Sequence, residues 1–311
     1  MKKNFITFSI LFIFFLMLAK MNITKEYALK GLNLWLFTIL PTLLPYTIIS
    51  SLLLCTNSFS KPLTVIKRIT KLTFNENILL IIICGIFCGC PIGAKLTNDT
   101  YKASKINKKT ATFLLCALSN LSPAFIINFA LPTILSINTR IYIFSLIIIS
   151  NIISAYIVVR LLHIPNTYIS INHSSSKNNG SISNSNNCLN DIFENCILSS
   201  FEIQGKIGGY IIIFSCISGL FIQTLQLSPY SSLIFNSSIE ISSGLGTYNV
   251  FPIVPHYIAL IATLTSFGGI CIICQIFSCI NDIDVTNKSL IYSKVISTVL
   301  VYILSYAFIN A

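Results

Sequence analysis

Charged side chains are scarce in this sequence of 311 residues. Asp, Glu, Lys and Arg make up 9% of the chain, whereas soluble globular domains carry about 25%. Hydrophobic residues make up 54%, and the mean hydropathy is +0.81. Because so few charges cannot cover a water-exposed surface, the composition excludes a soluble globular protein and predicts an integral membrane protein.

Acidic and imidazole side chains are scarcer still, with nine Asp and Glu residues and three His residues in the whole chain. The sequence contains no P-loop, no His-rich metal cluster and no supported Ser–His–Asp order. These absences remove the usual sequence signs of an enzyme, so we expect no catalytic residues, no metal site and no cofactor.

The eleven cysteines fall mostly within or beside apolar runs. Two spacings, Cys84-x3-Cys88-x-Cys90 and Cys271-x2-Cys274, are compatible with metal ligands, but no histidine lies near them in sequence. Thiols in membrane helices behave as small apolar side chains, and we favour that interpretation.

The net charge is +11, which raises the question of nucleic acid as a partner. The basic residues flank apolar segments instead of forming one stripe, and no nucleic-acid-binding motif occurs. Lys and Arg beside membrane spans set topology and contact anionic lipid. We therefore expect membrane lipids as partners, and no nucleic acid.

Eight segments dominated by Ile, Leu, Phe and Val indicate the membrane-crossing parts of the chain. They are too long and too uniformly apolar for barrel strands, so the fold class is all-α: a polytopic membrane helix bundle with two related halves and re-entrant or broken helices. We expect roughly six to nine spans or half-spans. The segments are residues 5–18, 32–55, 78–90, 110–135, 141–162, 207–227, 257–280 and 290–309.

The chain divides into four parts. Residues 1–22 have a basic start and an apolar run but no A-x-A cleavage site, which predicts an uncleaved first span. Residues 166–190 are almost all Ser and Asn and predict a flexible aqueous linker. This linker separates a first membrane half, 23–165, from a second, 191–311, the usual plan of secondary transporters.

The stretch GCPIGAK breaks an apolar run with three helix-breaking residues, Gly89, Pro91 and Gly93, followed by Lys95. Lipid cannot satisfy the freed backbone groups, so the turn is expected inside protein or beside water. Freed amides at a helix start favour an anion, and Gly93 would allow its close approach. The alternative is that Lys95 only extends to the membrane surface.

Two further breaks occur, at SNLSP and at SFGG. The first offers Ser119, Asn120 and Ser122 as hydrogen-bonding groups, although a simple Pro-kinked span has the same sequence. The second has Ser266, Gly268 and Gly269, with Gln275 nearby; glycine pairs also serve close helix packing. We expect these two breaks to face each other across the halves and, with the first break, to form a substrate-binding site in the bilayer.

Basic segments lie on both sides of residues 78–90. If that segment crossed the membrane once, one of the flanking segments, 56–76 or 95–109, would violate the positive-inside tendency. We favour re-entry, and we expect 95–109 to lie in water. Glu202 and Glu240, each at an apolar edge, are expected at the interface.

The motifs GCPIGAKL, SNLSPAFI and SFGGICIICQ resemble those of the YlbJ-like sporulation integral membrane proteins, within the wider group of nucleoside-recognition or Gate domain membrane proteins. The resemblance spans residues 34–275, and the first motif is the most specific. The chain departs from the family pattern at Ile273-Cys274, where a polar residue, often His, is expected before the glutamine. This departure puts a hydrogen-bond network in the second half in doubt.

The resemblance implies a transport protein in a membrane of the developing spore, with a fold similar to nucleoside-transporter halves that carry re-entrant hairpins. A small anionic or nucleoside-like solute is implied, with dipicolinate the leading candidate. The alternative is a non-transporting membrane scaffold for spore envelope or cortex assembly. Candidate protein partners are a second copy of the chain or other sporulation membrane proteins, in the cell membrane or a spore-envelope membrane.

Overall fold

Every regular element in the described part of the chain is a helix, which confirms the all-α prediction. The computed structural model describes residues 2–55, 75–132, 135–168, 189–245, 254–280 and 287–310. The predicted Ser/Asn-rich linker and the basic loop 56–76 lie for most of their length outside the described residues.

The first half begins with a long, nearly continuous helical stretch and ends with a long single helix; between them lie two shorter helix pairs. In chain order the elements are α1 (Lys2–Ala19), α2 (Met21–Leu34), a π-helical turn (Trp35–Ile39), α3 (Leu40–Cys55), α4 (Glu76–Cys88), α5 (Cys90–Lys102), α6 (Lys108–Ala117), α7 (Pro123–Phe125, continued by the π-helical turn Ile126–Ala130) and α8 (Ile137–Leu161).

The second half repeats this order of a long helix, two broken pairs and a long helix. Its elements are α9 (Leu189–Leu225), α10 (Pro229–Ile239), α11 (Ile241–Leu245), α12 (Pro255–Phe267), α13 (Gly269–Cys279) and α14 (Asn287–Asn310). Because the same sequence of long and broken elements occurs twice, the helix order itself supports two related halves.

Five helical stretches are long and apolar enough to cross a membrane: Met21–Leu52, Ile137–Leu161, Asp191–Leu225, Pro255–Cys279 and Lys288–Asn310. The predicted first span, 1–22, coincides with α1, but its apolar part, Thr7–Ala19, is shorter than these five. Many large apolar side chains on α1, α8, α9 and α14 are exposed, as expected for surfaces that contact lipid.

Hairpin 1, formed by α4 and α5, reverses direction at Gly89. This residue has φ +88° and ψ −178°, a conformation that L side chains rarely adopt. A Cβ added to Gly93 would lie only 3.0 Å from Cα of Gly85, and these residues lie one turn to either side of the tip. Each helix has 13 residues and is about 20 Å long, too short to cross the bilayer. Residues 78–90 therefore have the reversal that re-entry requires.

Hairpin 2, formed by α10 and α11, was not expected from the sequence. It turns at Glu240, whose backbone is extended at φ −137° and ψ 108°. Gly244 packs directly on the backbone and side chain of Ser237, so a small residue again lets the two arms approach on either side of the tip. The broken helix pairs among the described residues therefore contain four breaks, whereas the sequence indicated three.

Each hairpin tip contacts the break of the helix pair that follows it. In the first half, a Cβ added to Gly89 would lie 3.1 Å from the backbone N of Ser122, between α6 and α7. In the second half, a Cβ added to Gly269 would lie 3.0 Å from the carbonyl oxygen of Ile239, at the end of α10. Both contacts are backbone to backbone and depend on a glycine.

The corresponding long helices of the two halves pack against each other. The α2–α3 stretch packs along α9, where the indole Nε1 of Trp35 donates a hydrogen bond of 3.0 Å to the carbonyl of Gln204. Helix α8 packs along α14, where the hydroxyls of Ser154 and Ser293 lie 2.9 Å apart. The small, hydrogen-bonded serines suit close helix contact in a membrane.

Two expectations about the first break were wrong. Gly93 was expected to let a ligand approach. It packs against Gly85 instead, because Gly93 lies inside α5 on the face that meets α4. The basic segment 95–109 does not lie wholly in water: Leu96, Thr97 and Tyr101 are buried, since α5 continues through them and packs into the protein.

The contact between Gly93 and Gly85 predicts that Gly93→Val destabilises hairpin 1, because neither backbone can move without opening the hairpin. We expect a loss of roughly 1–3 kcal/mol, the usual cost of overpacking, measured as thermal unfolding of the purified protein in detergent. Gly205→Val is the matched control, since a Cβ at Gly205 meets nothing within 4 Å. Equal midpoints for the two variants would contradict the packing role of Gly93.

Candidate functional site

The two hairpin tips meet at a small inner cavity of about 50 Å³. Hairpin 1 contributes Gly89, Cys90 and Pro91, and hairpin 2 contributes Glu240 and Ser242. The break between α6 and α7 adds Ser122, and α13 adds Gln275. Most of the remaining lining is aliphatic, so the polar groups of the cavity come from the helix breaks. Space of this size holds a few water molecules or one carboxylate group.

A larger outer cavity of about 180 Å³ adjoins the inner one. The two share Pro91, Ile207 and Gln275 as lining residues. The outer cavity carries the charged groups: Lys95 and Asp99 from α5, and Glu202 and Lys206 from α9. A solute entering from this side would pass charged groups first and the hairpin tips afterwards.

The predicted binding residues are divided between these cavities and the protein interior. Gly89, Pro91, Ser122 and Gln275 line the inner cavity, and Lys95 lines the outer one. The other predicted residues line neither cavity: Gly93, Ser119, Asn120, Ser266, Gly268 and Gly269. Gly268 and Gly269 instead shape the second-half break, with φ +78° and +80°.

Glu240 caps the start of α11 with its own carboxylate. Its Oε1 accepts a hydrogen bond of 3.0 Å from the backbone N–H of Ser242, and Oε2 accepts one of 2.6 Å from Ser243. The residue is 1% exposed, so the expectation that it lies at the interface was wrong. Its charge is placed against the positive end of a helix, which compensates for part of the cost of burial.

Glu202, by contrast, is exposed. Its carboxylate forms a 2.7 Å salt bridge with Lys206 one turn later on α9, and both side chains are more than half exposed. This pair faces the outer cavity and contributes little to stability, as is usual for exposed ion pairs one turn apart.

The start of α5 differs from the start of α11 in its cap and in its donors, because Pro91, at the position of Ser242, has no backbone N–H. Gly89 occupies the tip of hairpin 1, as Glu240 occupies the tip of hairpin 2, and no side chain caps the helix that follows Gly89. One of the two helix starts beside the inner cavity thus holds a carboxylate of the protein, and the other holds none. Helix starts favour anions, so the start of α5 can accept an external one.

Lys294 was not predicted as a functional residue, because it lies within the predicted apolar segment 290–309. It lies on α14, is 1% exposed, and its ammonium donates hydrogen bonds to the carbonyls of Ser119 and, at 3.0 Å, Ser266. A single lysine within a run of apolar residues was the available signal. The two hydrogen bonds bring the SNLSP and SFGG breaks together across the halves, as expected.

Several buried oxygen atoms at these breaks have no partner among the described residues. They include Oδ1 of Asn120, whose amide nitrogen donates to the carbonyl of Ala117, and Oγ of Ser266. Unsatisfied buried acceptors are rare in proteins and favour bound water or a cation.

Comparisons of the chain with protein-family models, with curated proteins and with solved structures find no match. The chemistry of the two cavities and the three sequence motifs are therefore what supports a function for this chain.

The Glu240 cap predicts that Glu240→Ala destabilises the protein more than Glu240→Gln does. Alanine leaves two buried N–H groups without an acceptor, at a cost of roughly 1–3 kcal/mol each, whereas glutamine retains one acceptor oxygen. The measurement is the thermal midpoint in detergent, with Glu202→Ala, an exposed carboxylate, as control. A midpoint of Glu240→Ala equal to that of Glu202→Ala would refute the capping role.

Proposed function

We propose that this chain is a membrane permease for a small anionic solute, with dipicolinate as the leading candidate, and that it acts in a membrane of the developing spore. The observation that carries the proposal is the unequal pair of helix starts at the inner cavity. Glu240 supplies a carboxylate to α11, and the start of α5 beside it has no side-chain cap.

A substrate carboxylate at the start of α5 would accept a hydrogen bond from the backbone N–H of Ile92, which corresponds to the contact that Glu240 makes with Ser243 at α11. The two helix starts belong to corresponding hairpins, so the internal carboxylate indicates the chemistry that the open one can bind. Glycine at the tip lets the start of α5 lie against the backbone of Ser122, which also lines the inner cavity.

The group that we assign to the second carboxylate of a dicarboxylate is Lys95, one of two basic and two acidic side chains in the outer cavity. Lys206 forms a 2.7 Å salt bridge with Glu202, and Lys95 is half-buried on α5, six residues from Gly89. A ligand that reaches from the start of α5 toward Lys95 would carry two negative groups. A nucleoside carries no carboxylate and would leave the helix start without an anion.

The two volumes place the bulk of such a solute in the outer cavity. About 180 Å³ admits a small aromatic acid, whereas about 50 Å³ admits only a carboxylate or water. Passage onward requires the hairpin tips to separate, which is the kind of gating that broken helices serve in transporters.

The proposal predicts reduced dipicolinate in spores that carry Lys95→Ala or Gly89→Ala. The first substitution removes the charge, and the second puts a side chain at φ +88° and 3.1 Å from the backbone of Ser122. Lys95→Arg should retain part of the activity because the charge remains. The measurement is dipicolinate per spore, with protein level followed by immunoblot.

Lys105→Ala is the control for loss of a charge, because Lys105 is exposed in the loop between α5 and α6. Normal dipicolinate in spores that lack the whole protein would refute the permease and favour the scaffold for envelope or cortex assembly. Normal dipicolinate in Lys95→Ala alone would remove Lys95 from the site.

The proposal also predicts that dipicolinate raises the thermal midpoint of the purified protein, because a ligand that binds the native state stabilises it. Uridine, which has no carboxylate, should raise the midpoint less. Lys95→Ala should reduce the dipicolinate effect, and Lys105→Ala should leave it unchanged. A larger shift with uridine than with dipicolinate would show that the site selects a nucleoside-like solute.

A further inference from the structure

The ammonium group of Lys294 lies between the SNLSP break of the first half and the SFGG break of the second half. Lys294 is 1% exposed, and its Nζ donates hydrogen bonds to the carbonyls of Ser119 and Ser266. Ser119 follows the end of α6, and Ser266 belongs to the last turn of α12. A single side chain thus joins one broken helix of the first half to one of the second.

Both acceptors lie at the carboxyl ends of helices, which carry partial negative charge. In transporters with broken helices, such ends and the unwound carbonyls beside them hold the coupling cation. The unpartnered oxygens of Asn120 and Ser266 lie in the same two breaks and add to the negative potential. The site therefore has the ligand chemistry of a cation site, and the chain's own ammonium occupies it.

The groups that face Lys294 from the neighbouring helices are neutral thiols and carbonyls. Cys90 of α5 and Cys116 of α6 lie near enough to interact electrostatically with the ammonium. On α14 itself the adjacent polar residue is Ser293, bonded to Ser154 of α8. In the described part of the chain no carboxylate forms a salt bridge with Lys294. Its charge is thus balanced by dipoles alone.

Cys90 also connects this site to the translocation region. It lines the inner cavity and lies near enough to Lys294 to interact electrostatically with the ammonium. The inner cavity has room for water, which would accept a proton released from the lysine.

We propose that Lys294 is the proton-binding group that couples transport to a proton gradient. Its ammonium occupies the kind of position, between the ends of broken helices, at which other transporters bind a coupling cation. The proposal rests on the permease function. In the ammonium form the residue holds the carbonyls of Ser119 and Ser266 together. When one proton passes from Nζ to water in the inner cavity, the neutral amine holds them less strongly and the two breaks can separate. Proton return restores the contact.

The test uses purified full-length protein in liposomes with radiolabelled dipicolinate. A proton gradient should drive accumulation by the wild type, and a sodium gradient without a proton gradient should not. Lys294→Met should lose gradient-driven accumulation while retaining exchange of labelled for unlabelled dipicolinate. Lys288→Met is the matched control, since Lys288 is an exposed lysine near the start of the same helix. Accumulation driven by sodium, or by protons in Lys294→Met, would overturn the coupling.

A second measurement guards against a variant that fails to fold. Hydrogen exchange at 118–122 and 266–269, corrected for the intrinsic pH effect, should report opening of the breaks as pH rises from about 7 to about 10, where a lysine loses its proton. Lys294→Arg keeps its charge over this range and should not open. Equal pH dependence in the two proteins would overturn the proposal.

The two measurements separate the two proposals. Absence of any dipicolinate flux in folded wild-type protein would overturn the permease and, with it, the coupling. Dipicolinate flux without pH-dependent opening at the breaks would overturn the coupling alone.

Discussion

The structure depends on one constraint: every backbone N–H and C=O group freed by a helix break inside the membrane must find a partner within the protein or in a water-filled cavity. Four breaks occur in the described chain, and each is placed against another. The tip at Gly89 lies against the backbone of Ser122, and Gly269 lies against the end of α10. The two halves meet at the ammonium of Lys294, which serves the same need for the carbonyls of Ser119 and Ser266. Apolar packing alone would not bring the halves together, since lipid competes equally for apolar surface.

Two buried charges complete this arrangement, and each has the sign that its helix ends favour. The carboxylate of Glu240 holds the amides at a helix start, and the ammonium of Lys294 holds the carbonyls at two helix ends. Both charges come from the second half of the chain. The first half contributes Gly89 at its hairpin tip and the carbonyl of Ser119. Because glycine has no side chain, the start of α5 has no cap of its own at the inner cavity.

The all-helical class and hairpin 1 were predictable because composition and helix-breaking residues are visible in the sequence. Hairpin 2 was not, since Glu240 turns the chain in an extended conformation that any residue can adopt. The role of Gly93 was predicted wrongly because the sequence alone does not distinguish two uses of glycine. Gly89 is needed for its positive φ angle, whereas Gly93 is needed for close packing. Lys294 was overlooked because periodicity within a uniformly apolar helix does not reveal which face meets other broken helices.

The sequence separation of 175 residues between Ser119 and Lys294 has a consequence for biogenesis. The break after α6 is synthesised well before α14. The carbonyl of Ser119 therefore has no contact with Lys294 until the intervening residues have been made. During that interval the first half must keep this region hydrated or shielded by other proteins of the insertion machinery. The contact thus forms only after α14 has been made, and the first half alone is not an independently finished unit.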